Sequence, residues 1–130
     1  MNINDYIERA ALLRRQGYNC CQAVAVALTD QTNLSSEQLC QLASGFGLGM
    51  GNMEATCGAL VGAGLVAGLH TQGNGTVRLT RQISEHFKSK CGAVICKELK
   101  GIGTGKVLCP CDQCVKNAIL AYGEVMGLSS

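Results

Sequence analysis

Nine cysteines in a chain of 130 residues are the groups with the most chemistry to offer. The tightest run is Cys109-Pro110-Cys111-Asp112-Gln113-Cys114, with Cys91 and Cys96 shortly before it. Thiolates are soft ligands that select zinc, copper(I) and iron-sulfur clusters, and a four-thiolate site can be closed by loops and helix starts. The spacing does not choose among them. Zinc sites usually carry two short Cys-x-x-Cys pairs, of which only Cys111 to Cys114 is present, and ferredoxin-type runs are spaced differently. The same pair, at an expected helix N-terminus, has the form of a reactive dithiol, because the helix dipole favours the thiolate. Against that stand the absence of a βαβ setting and the negative charge of Asp112.

The remaining thiols lie further back in the chain. Cys20 and Cys21 are neighbours, about 100 degrees apart on a helix, so only one can face a small site. Cys40 lies on the apolar side of a short helix and reads as core. Cys57 closely follows Gly45-Phe46-Gly47-Leu48-Gly49-Met50-Gly51, a run with glycine at every second position. Backbone of that kind can approach a bound group closely. Gly47, Gly49 and Gly51 are therefore candidates to donate N–H groups to a cluster's sulfurs or to an anion. A dinucleotide site would need a preceding strand and a P-loop a following Gly-Lys-Ser/Thr, and neither is present. His70 reads as a loop residue and His86 as a helix histidine with a local partner.

These groups must be positioned by helices. Ile7, Ala10, Ala11 and Leu13 have helical spacing, with Asn4 or Asp5 to cap the segment and Gly17 to end it. A second helix, Asn19 to Thr29, is apolar all round through Ala23–Leu28 and so belongs at the centre. Ser35 and its acidic first turn start a third, short helix. After the glycine-rich loop, a fourth helix from Glu54 to His70 carries Gly58, Gly62, Gly64 and Gly68, which permit close helix contact. A fifth spans Val77 to Lys90, with Leu79, Ile83, Phe87 and His86 inward and Arg81, Glu85 and Lys88 outward. A short piece from Val94 to Lys100 precedes the last helix, Asp112 to Met126. No period-two strand pattern is visible. The expected fold is all-α, a compact bundle of about five to six helices in one domain spanning residues 1–130.

Composition agrees and narrows the function. Hydrophobic residues make up 47% with one proline and no tryptophan, a palette suited to closely packed helices. The net charge of +2, from 11 basic and 9 acidic residues, forms no stripe for a phosphate backbone, so no nucleic-acid partner is expected. The longest apolar stretch, Cys57 to Leu69, falls short of the roughly 20 residues that span a bilayer. No export signal opens the chain, and the cysteine count is odd, which points to a cytoplasmic protein with metal or thiol redox chemistry rather than disulfides.

The chain resembles the redox-active protein family named for a motif of one Cys, a Gly-Cys-Ala-x-x-Gly element and two further Cys. The resemblance rests on Gly17-Tyr18-Asn19-Cys20 with Gln22-Ala23-Val24, on Leu42-Ala43-Ser44-Gly45-Phe46-Gly47 with Gly49-Met50-Gly51, on Thr56-Cys57-Gly58-Ala59 with Gly62-Ala63, on Cys96-Lys97-Glu98-Leu99, and on Cys111 with Val115 and Ala118. Cys57-Gly58-Ala59 stands where the motif reads Gly-Cys-Ala, with the following glycine displaced. The resemblance implies that Cys20, Cys57, Cys96 and Cys111 form a shared quartet of ligands. The expected function is electron transfer or redox sensing through an iron-sulfur cluster, with an unidentified redox partner protein. The alternatives are a metal-free thiol-disulfide protein and a zinc-stapled interaction module. The roles of Cys21, Cys40, Cys91, Cys109 and Cys114 stay open, and the glycine faces of the fourth helix suggest a homodimer.

Overall fold

The computed structural model describes residues 1–128 and is all-α, with no strand among them. Helix α1 (Ile3–Arg15) is capped by Asn2, two or three residues earlier than the candidates in the sequence. Asn2 accepts from the Asp5 N–H at 3.1 Å, and the Asp5 carboxylate accepts from the Asn2 N–H at 3.0 Å, so Asp5 closes a capping box instead of acting as the cap itself. Helix α2 (Cys20–Ala27) is closed the same way by Asn19 and Gln22, and α3 (Ser36–Ala43) by Ser35 and Gln38. α2 is central. It packs against α1, α3, α4 (Gly58–His70) and α7 (Cys111–Met126), as its lack of a polar face requires.

Helix α4 begins four residues later than its composition suggests. Thr56 pairs with Ile95 in an isolated antiparallel bridge, with Cys57 N–H donating to Val94 O at 2.8 Å and Cys96 N–H to Ala55 O at 3.0 Å. These bonds hold residues 55–57 extended and set Cys57 beside Cys96. The glycines of α4 are used inside the chain. A Cβ on Gly58 would lie 2.8 Å from Phe46 O, and one on Gly62 2.8 Å from Cys21 O, while Gly64 and Gly68 face Thr80 and Thr76 of α5 (Thr76–Cys91) at ordinary contact distance.

On α5, Ile83 and Phe87 are buried and Leu79 is partly so, but His86 is exposed. It sits one residue off the inward stripe, and its Nδ1 lies 2.6 Å from the Glu124 carboxylate, which also holds Lys90 at 2.7 Å. His70 ends α4, with Nδ1 2.9 Å from Gln31 O. The four-residue α6 (Cys96–Leu99) leads into a glycine-rich loop and then Pro110, which precedes α7. Most of the buried side chains form one continuous cluster, at whose edge Gln31 hydrogen-bonds the hydroxyls of both Tyr6 and Tyr122 at 3.3 Å. No described helix is long and apolar enough to cross a membrane.

Candidate metal and thiol centre

Four cysteines stand at the beginnings of four helices. Cys20, Cys96 and Cys111 are the first residues of α2, α6 and α7, and Cys57 is the residue that precedes α4. All four line one cavity of about 80 Å³, together with Arg14, Lys100, Asn19, Leu48 and Gly58. A wider groove of about 450 Å³ between α4 and α5 is lined by no thiol or ionisable group.

The positioning is steric. The Asn19 capping box fixes the start of α2, and the Thr56–Ile95 bridge fixes Cys57 against Cys96. The glycine-rich loop then closes on both. A Cβ on Gly47 would lie 2.5 Å from the Asn19 side chain, and one on Gly49, at φ +56°, 2.6 Å from Cys96 Cβ. Gly51 is different. It is exposed and left-handed, with open space where a Cβ would be, and its N–H is spent on Gly47 O at 3.0 Å. At Cys57, the first-turn N–H groups of Ala59 and Leu60 favour the charged form.

Charge at the cavity is balanced between thiolates and cations. The neighbouring Cys20 thiol, with the Lys100 ammonium and the Arg14 charge, holds Cys111 well below the ordinary thiol range. The neighbouring Cys111 and burial in turn push Cys20 up. Cys57 is lowered by the neighbouring Cys114 thiol, by the two N–H groups and by Lys100, whereas burial raises Cys96. Burial opposes the charge on Lys100, but the neighbouring Cys111 and the other nearby thiols outweigh that and raise its pKa. The N-termini of α2, α4 and α7 add their partial positive charge. Arg14 contributes one more feature, because its Nε is buried with no hydrogen-bond partner among the described residues.

Neither cation was noticed in the sequence. Cys96 and Lys100 are one helical turn apart, a spacing that would have signalled a shared face. Arg14 lies on a helix with no thiol, so no local signal pointed to it.

A direct consequence concerns reactivity. An ordinary thiol loses roughly 25-fold of its thiolate between pH 9 and pH 7. Because the Cys111 pKa is lowered, its thiolate persists below that range. In metal-free protein its alkylation rate, followed by mass spectrometry of the Cys111 peptide, is expected to change less than about threefold over the same interval. Lys100→Met should restore much of the ordinary fall.

Cys91, Cys109 and Cys114 form a second thiol group, all buried, with their sulfurs within 4.8 Å of one another. This group can hold a metal ion. Cys114 also neighbours Cys57, so the two thiol sets adjoin. The run Cys109-Pro-Cys111-x-x-Cys114 is thus divided: Cys111 faces Cys20 and the cavity, while its two neighbours face Cys91. Cys21 turns away beneath α4, where burial pushes its thiol up to about 12. Cys40 is only half-buried, outside the core cluster, 3.4 Å from Gln22 Nε2.

The family model described as "Putative redox-active protein (C_GCAxxG_C_C)" matches residues 18–125. The chain belongs to this family. No curated protein and no solved structure matches it. The segment matched to the redox-active family contains all nine cysteines and Lys100 but not Arg14. Counted from Ala59, Gly62 stands where the family's motif has its second glycine. What differs is the order of Cys57 and Gly58, not the place of the following glycine. Gly58 and Gly62 lie one turn apart on the face of α4 that presses on the Cys21 backbone, which gives these family positions a packing reason.

Proposed function

We propose that this protein is an electron-transfer or redox-sensing protein in which Cys20, Cys57, Cys96 and Cys111 hold an iron-sulfur cluster. The observation that carries the reading is the convergence of four thiols on one cavity whose wall also holds Lys100 and Arg14. An all-sulfur donor set suits zinc or a cluster. A structural zinc ion fits tightly inside its ligands, whereas about 80 Å³ suits a larger group.

Such a cluster, when bound, takes up and releases one electron. The chain's part is to hold it and set its charge balance. The Ala59 and Leu60 N–H groups stabilise the Cys57 sulfur, Lys100 does the same for Cys111, and Leu48 covers the cavity from the loop side. Removing a cation beside the centre disfavours the added electron. Lys100→Met is therefore expected to lower the reduction potential by roughly 50–100 mV in a potentiometric titration. An unchanged potential would mean that Lys100 is not electrostatically coupled to the centre.

The reading is tested by iron and acid-labile sulfide content, with a visible spectrum, on anaerobically purified protein. Iron and sulfide in equal amount support it. Protein free of both, or holding zinc alone, would end it.

A further inference from the structure

Cys91, Cys109 and Cys114 have no part in the quartet and come from three separate places: the last residue of α5, the loop before α7, and the first turn of α7. Cys109 and Cys91 are in contact at 3.3 Å, and all three sulfurs lie within 4.8 Å of each other. Asn117, three residues after Cys114, points its amide at two of them, with Nδ2 3.3 Å from Cys91 and 3.8 Å from Cys109. An N–H donor to two sulfurs is the outer support that metal-bound thiolates use.

The donor count selects the kind of ion. Three sulfurs in a plane, each about 2.3 Å from a central ion, stand about 4 Å apart. That separation lies between the 3.3 Å contact and the 4.8 Å limit, so small side-chain rotations would reach it. No carboxylate or imidazole belongs to the group among the described residues, and Cys57, although it neighbours Cys114, lies outside the three mutually close sulfurs and lines the other cavity. Structural zinc takes four ligands, and the fourth is missing. Three soft sulfurs without a hard donor match the low-coordinate preference of copper(I).

We infer that Cys91, Cys109 and Cys114 form a second metal site, separate from the quartet, that binds one ion of the copper(I) class through three thiolates. This does not rest on the iron-sulfur reading, because the two sites use different cysteines. The test is an anaerobic titration of the full chain with copper(I) against bathocuproine disulfonate. Cys20→Ser/Cys111→Ser protein, in which the quartet is broken, is expected still to take up one tightly held equivalent, with X-ray absorption showing a shell of three sulfurs. Cys91→Ser/Cys109→Ser is expected to lose that equivalent while keeping its helical circular dichroism. Asn117→Leu should weaken copper binding about 10- to 100-fold at unchanged stoichiometry. Loss of the equivalent on breaking the quartet, its retention without Cys91 and Cys109, or a four-sulfur shell would overturn the inference. So would reduced protein that takes up no copper and reoxidises to a Cys91–Cys109 disulfide. If the double variant fails to fold, Asn117→Leu decides, and unchanged affinity there counts against the site.

Discussion

Cys57→Ser is expected to lose more than nine-tenths of its iron and acid-labile sulfide, together with the visible absorption, while its thermal unfolding stays close to that of the wild type. The two halves of this expectation have different causes. Cys57 is the thiol set at the start of the most apolar helix, whose first-turn N–H groups favour its charged form. Taking away one of four thiolates opens the coordination, and a neutral hydroxyl is a poor replacement. Serine is nevertheless a favoured helix cap, and its oxygen can accept from the same two N–H groups, so α4 keeps its start. Loss of metal without loss of fold separates a ligand from a structural residue. Cys21→Ala is the matched control. Its sulfur is turned into the core beneath α4, and its removal is expected to cost roughly 1 kcal/mol while leaving the iron content unchanged. Iron retained by the Cys57 variant would show that Cys57 is not a ligand, whatever the wild type holds.

Gly62→Ala and Gly64→Ala, two residues apart on one helix, should shift stability in opposite directions. A Cβ at Gly62 would meet Cys21 O at 2.8 Å and Val24 Cβ at 3.2 Å, and the first is backbone of a buried helix that cannot rotate away. α4 and α2 would have to separate. Overpacking of this kind costs about 1–3 kcal/mol or more, against which the better helix propensity of alanine returns about 1 kcal/mol. The net expectation is a loss of about 1 kcal/mol, or roughly 3–5 °C in melting temperature. At Gly64 the nearest atom is Thr80 Cγ2 at 3.6 Å, an ordinary contact, so the propensity gain should dominate, at about 0.5–1 kcal/mol. Because Cys20 and Cys57 start the two helices that Gly62 joins, the Gly62 variant should also hold iron less firmly. Thermal melts of the two proteins decide the matter, and equal shifts of the same sign would show that the close approach of α4 to α2 is not what the glycine serves.

Much of the fold could be read from local patterns. The all-α class, the central place of the apolar α2 and the capping boxes at Asn19 and Ser35 follow from residues near one another in the chain. Element boundaries failed where a distant segment intervened. The Thr56–Ile95 bridge delayed α4, and His86, off the inward stripe, pairs with the distant Glu124. Neither partner lies near its counterpart in sequence, so no periodic signal could announce it.

The site divides along the same line. The sequence by itself determined that thiol chemistry dominates, that Cys20 and Cys21 cannot both face one point, and, through the family motif, which cysteines to group. Tertiary structure decided the rest. It aligned four helix starts on one cavity, brought Lys100 and Arg14 to its wall, and split the dense Cys109–Cys114 run between two thiol sets that adjoin at Cys57 and Cys114. The physical reason is that helix propensity and capping act over a few residues. Convergence of side chains is set by which helix faces pack together, and here that depends on Gly47, Gly49, Gly58 and Gly62 allowing approaches that any side chain would block.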